Sequence, residues 1–112
     1  MHGRKLDKYT LHIKEKSWIA WIAAKKLQAS SVAIVVGKTI HLHNTTKHEF
    51  LKNNRWVKHE LCHIHQFKEH GFFTFIFKYL IESVKHGYYN NKFEQEAREA
   101  EKEAGEPVTF PD

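Results

Sequence analysis

No proline stands before Pro107 in this chain. Proline removes a backbone donor and clashes with the preceding helical turn. Its absence leaves long helices open to the first 106 residues, so the stops must come from glycine and from capping side chains. Ser17 is a plausible cap for a helix over residues 17–28, with Trp18, Trp21, Ile22 and the small alanines supplying a packing face. Asn53 or Asn54 caps a helix that runs to about His70, where Gly71 breaks it. Residues 72–85 form the next helix, ended by His86-Gly87. Asn90 or Asn91 caps a last helix to about Ala104, with Gly105 past its end. Between the first two helices, Val32 to Val36 is β-branched and apolar, a buried strand. Gly37-Lys38 reads as a turn. Thr39 to His43 then alternates, with Ile40 and Leu42 inward and Thr39, His41 and His43 on a wet face. Asn44-Thr45-Thr46 ends that strand. The expectation is an α+β fold, mostly helical with a small β-hairpin. It forms a single domain over 1–112, with its core at about 15–104 and short tails.

The length of 112 residues suits one modest core. The single cysteine, Cys62, rules out an intrachain disulfide and suits a reducing compartment. The formal charge is +5, but the basic residues are scattered and the last helix is acidic. No arginine-rich stripe or nucleic-acid motif is present, so no specific nucleic-acid partner is expected. The apolar stretch at residues 18–24 is short and is followed by Lys25-Lys26. It cannot span a bilayer and carries no signal-cleavage pattern. The expected location is cytoplasmic, with export open only to a route that cleaves no signal.

The chemistry concentrates in His59-Glu60-Leu61-Cys62-His63. Residues four apart on a helix lie about 40° apart in azimuth and one turn apart in height. His59 and His63 therefore project side by side and can grip one metal ion. Glu60 flanks them and can reach a water on that ion without binding the ion itself. Val57, Leu61 and Ile64 form a core-facing stripe on the other side. His65 sits about 140° round the helix from the pair and is off the metal face. His70 is on that face, but roughly 10 Å up the axis.

A catalytic zinc usually takes three protein ligands. The stretch from Tyr88 to Arg98 offers the third. Phe93, Ala97, Ala100 and Ala104 make a stripe of mostly small residues that lets another helix approach closely. Glu94 borders this stripe and is the first choice. Glu96, on its other edge, is the fallback, and Glu99 points away.

His59-Glu60-x-x-His63 followed, 31 residues later, by Glu94-x-x-Ala97 resembles the gluzincin metallopeptidases. It is similar above all to small bacterial HExxH domains, including those with the longer form ending in glutamine, matched here by Gln66. It also resembles the heat-shock and prenyl-protease type of membrane peptidase, whose downstream motif is Glu-x-x-Ala-Asp. Arg98 stands where that motif has aspartate, and this chain has no transmembrane segment. The likeness covers roughly residues 39–104.

The resemblance implies a zincin-like fold and one Zn2+ per chain on His59, His63 and Glu94. Glu60 would activate a zinc-bound water to hydrolyse peptide bonds in a peptide or protein substrate. Tyr88 and Tyr89, just before the third-ligand helix, are candidate oxyanion donors. The strand at Thr39 to His43 is a candidate edge for an extended substrate. The aromatic run at residues 72–80 is expected in the core rather than as a hydrophobic substrate or membrane-surface element, because a small domain needs such side chains inside. The competing reading is a catalytically weak or inactive zinc-binding interaction module. Glu60 separates the two, since a structural site has no use for a general base.

Overall fold

The computed structural model describes residues 12–103. It is an α+β domain, mostly helical, with one small sheet. The elements run β1 (His12–Lys14), α1 (Trp18–Leu27), β2 (Val32–Val36), β3 (Thr39–His43), α2 (Lys47–Lys52), α3 (Asn54–His70), α4 (Phe72–His86) and α5 (Lys92–Ala100).

Local chemistry sets most boundaries. The Ser17 hydroxyl accepts from the amides of Ile19 and Ala20 at the start of α1. The Asn53 side chain does the same for Trp56 in α3, and Asn91 for Phe93 in α5. Gly37 has a positive φ of 66° and Lys38 does not, the pattern of a two-residue type II′ hairpin turn. Gly71, with φ at 88°, turns the chain between α3 and α4 in one residue. Helix α5 ends at Ala100, short of the expected Ala104. Ala104, Gly105 and both prolines lie outside the described residues.

Two elements carry no sequence expectation. Helix α2 is capped by the Thr46 hydroxyl on the amide of Glu49 and buries Phe50, whose ring meets Trp56 edge-on at 5.3 Å. Strand β1 adds parallel to β3, so the sheet order is β1-β3-β2 and the hairpin becomes three-stranded.

The sheet is covered on both faces. Val35, Ile40 and Leu42 join Val57, Leu61 and Ile64 of α3 in the main core. On the opposite face Val32 packs with Ala20 and Ala24 of α1. This corrects the wet face expected for β3. His41 is buried there, and its Nδ1 lies 2.8 Å from the Ser17 hydroxyl. The packing face of α1 is correspondingly its alanines. Trp18, Trp21 and Ile22 stay exposed, because only the small side chains let the helix lie close on the sheet.

Helix α4 gives the second correction. Phe75 is buried, but Phe73, Phe77, Leu80 and Val84 are exposed, so this aromatic run is not wholly core. The helix is apolar on more than one face, and the domain offers it one.

Candidate metal centre

Helix α3 carries His59 and His63 one turn apart, with ring centroids 5.0 Å apart and the rings edge to face. Glu94 reaches them from the first turn of α5. That helix approaches closely because Ala97 is a fully buried small residue and Phe93 anchors its start. The carboxylate spans both rings. Its Oε1 is 3.0 Å from His59 Nε2 and its Oε2 is 3.3 Å from His63 Nε2.

These are hydrogen-bond and ion-pair distances, and they are also near the spacing of ligand atoms around a metal ion. Ligand atoms each about 2.0–2.1 Å from a tetrahedral ion lie about 3.3 Å from one another. One ligand atom from each of His59, His63 and Glu94 lies within 4.8 Å of the others. The donor set of two imidazoles and a carboxylate, at this spacing, could hold a metal ion.

The opposite ring atoms are also held. His59 Nδ1 is 2.6 Å from Glu101 Oε2, and His63 Nδ1 is 2.8 Å from Gln66 Oε1. Gln66 in turn donates to the Phe93 carbonyl at 3.2 Å and to Glu96, which ties α3 to α5. The Tyr79 hydroxyl of α4 donates to Glu94 Oε2. The imidazole side of α3 is therefore no open surface. The side chains of His59, His63 and Glu94 are 15%, 9% and 5% exposed.

Burial and charge oppose each other here. Burial works against charge on His59, but hydrogen bonding to Glu94 and the negative charge of Glu60 outweigh it and raise the imidazole to about 9. His63 is raised too, with burial again opposed by the same two carboxylates. For Glu94, burial favours the neutral acid, yet the two histidines hold it well below the usual carboxylate range. Glu60 is pushed up to about 7 by burial, with His63 and His59 pulling the other way. The cluster thus calls for positive charge between its histidines and carboxylates. Protons on the rings or a cation at the Nε2 atoms can supply it.

Glu60 is buried beside this cluster. It lines the same cleft of about 290 Å³ as His59, His63 and Glu94. Ala23 and Leu27 of α1, strand β2, and Ile76 and Leu80 of α4 form the cleft's apolar walls. The bordering strand is β2, which lies at one end of the strand order. Strand β3, the edge expected from sequence, is central and paired on both sides, so it cannot receive an extended chain.

The remaining candidates separate cleanly. Tyr88 lines the cleft although 46% of the residue is exposed, and the burial of its inner part, then the charges of Glu94 and Glu60, raise its hydroxyl so that it keeps its proton. Tyr89 does not face the site. It is 67% exposed, and its ring lies 3.9 Å from the Arg98 guanidinium, which also binds its carbonyl. Adjacent residues in this turn point to different sides, so only one can face the cleft. Glu96 bonds Gln66 rather than joining the histidines, and Glu99 is exposed beside Lys102. His65 is exposed near Glu69, and His70 stacks on Phe75.

Sequence reasoning passed over Tyr79 and Glu101. Glu101 carried a signal, since seven residues is close to two helical turns and places it on the side of Glu94. Tyr79 carried none, being one aromatic within an apolar run. The chain matches no family model, no curated protein and no solved structure in the comparisons made with each.

Proposed function

We propose that the chain is a zinc-dependent peptidase in which His59, His63 and Glu94 hold the ion and Glu60 is the general base. One observation carries this reading: Glu60 is buried in the same cleft as the cluster, although it does not belong to the three-residue donor set. A purely structural site would have no need of that carboxylate.

When bound, zinc acidifies a water and polarises the scissile carbonyl. Glu60 accepts the proton of the attacking water on its carboxylate and passes it to the leaving amide nitrogen. Tyr88, which keeps its proton, offers a hydrogen bond to the carbonyl oxygen as negative charge develops there. The backbone of β2 borders the cleft, where an extended peptide would lie along it. The apolar walls favour a substrate with hydrophobic side chains next to the cleaved bond.

The test is Glu60→Gln, assayed on a broad peptide and protein panel with zinc content measured in parallel. The variant should keep its zinc and fold, and lose turnover by about 10²–10⁴-fold. Activity that survives the substitution would overturn the role of Glu60. The exposed apolar face of α4 favours a second reading, a zinc-binding module that docks on a partner. That reading prevails if the wild type binds zinc stoichiometrically and cleaves nothing on the panel.

A further inference from the structure

A histidine that binds a metal through Nε2 must carry its proton on Nδ1, and that N–H needs an acceptor to fix the ring. His59 meets a carboxylate there. Glu101 Oε2 lies 2.6 Å from His59 Nδ1, a charge-assisted distance, on the side of the ring away from Glu94. The same imidazole is therefore spanned by two carboxylates of one stretch of chain, Glu94 at Nε2 and Glu101 at Nδ1.

The placement has a local cause. Glu101 is the C-cap of α5 and keeps helical angles, with φ at −61° and ψ at −24°. Its amide bonds back to the Ala97 and Arg98 carbonyls, so two full turns separate it from Glu94 on one side of the helix. Its other oxygen, Oε1, is 3.4 Å from the guanidinium of Arg55, four residues before His59 on α3. Arg98 sits one turn after Glu94 but is directed to Tyr89 instead.

We infer that Glu101 is the positioning residue of the His59 ligand: it accepts the hydrogen bond from the Nδ1–H, holds the ring with Nε2 toward the ion, and makes His59 the more basic of the two imidazole ligands. His63 has only the neutral Gln66 oxygen at its Nδ1. The inference rests on the metal reading, and it assigns the end of α5 a part in the site beyond the Glu94 turn.

The experiment uses the full chain and Zn2+ alone, with affinity measured by competition against a chromophoric chelator. Glu101→Ala should weaken zinc binding by about 10–100-fold. Glu101→Gln, which keeps an acceptor oxygen but no charge, should lose less. Glu99→Ala removes an exposed carboxylate from the same helix and should change nothing. In proton NMR of the zinc-loaded wild type, the His59 Nδ1 proton should appear as a slowly exchanging downfield signal. It should move upfield in Glu101→Gln while the His63 signal stays. Variants of Glu101 that bind zinc as tightly as the wild type, with the His59 signal unmoved, overturn the inference and leave the metal site standing. A wild type that binds no zinc overturns both.

Discussion

Ser17 and His41 illustrate what a single pair of side chains decides in this domain. The Ser17 hydroxyl caps α1 and also meets Nδ1 of the buried His41, while its amide bonds the Leu42 carbonyl. If the hydroxyl hydrogen goes to Nδ1, the oxygen lone pairs remain free to accept from the amides of Ile19 and Ala20. That arrangement requires a neutral His41. Burial, and then the charge of Lys14 on the paired strand, lower its pKa below the ordinary histidine value. A histidine lowered in the folded state contributes stability above its unfolded pKa, near 6.5. That contribution is lost as pH falls through the lower, folded value. Below about 6.5 the His41 contribution lowers the urea midpoint on acidification while Glu60, raised to about 7, increases it, so the His41 part is read as a difference: acidification should cost the wild type more than His41→Gln. Unchanged pH dependence in the variant would show that His41 is not the group responsible. The cap itself was legible in the sequence, since serine before an apolar helix is a local signal. Burial of His41 was not, because it depends on α1 folding over that face.

Among the elements, α4 departs furthest from expectation. Its Phe75 is enclosed by Phe67, Phe93 and Tyr79, whereas Phe77, two residues on, is 65% exposed. Phe75→Ala should cost about 3–5 kcal/mol, the range for emptying a buried aromatic site. Phe77→Ser should stay within about 0.5 kcal/mol, as for other exposed positions. Chemical denaturation of both variants checks the contrast. Equal losses would mean that the outer face of α4 is packed against something in solution. The sequence shows that this segment is an apolar helix, because Gly71 and Gly87 bracket it. It does not show which aromatics are inside, because apolar side chains occur on nearly every side of the helix.

At the scale of the molecule, the His59, His63 and Glu94 cluster joins α3 to α5, and Tyr79 joins both to α4. An ion that binds only this assembled geometry must stabilise the whole fold. At a free concentration 100 times its dissociation constant the gain is about 2.7 kcal/mol. For a domain of this size that corresponds to roughly 10–20 °C in Tm. Zinc should raise Tm by that order, a chelator should reverse the rise, and His63→Ala should abolish it. A zinc-dependent rise that persists in His63→Ala would place the ion elsewhere. Among the described residues no helix is long and apolar enough to cross a membrane.

What the sequence by itself determined is local. The i, i+4 pairing of His59 and His63, the caps at Ser17, Asn53 and Asn91, the Gly37-Lys38 turn and the glycine stops all follow from residues within one or two turns of each other. Backbone geometry carries that information without help from the rest of the chain. Glu94 was half legible, since the small stripe around Ala97 marked the side from which a helix could approach, yet Glu96 bordered the same stripe. Only the tertiary structure decided between them, because the choice turns on how α5 is rotated against α3. The same dependence on distant neighbours hid the parallel pairing of β1, the use of β2 rather than β3 at the cleft, and the exclusion of Tyr89. It also hid Glu101 behind His59, where the contact joins residues 42 apart in the sequence and no local pattern encodes it.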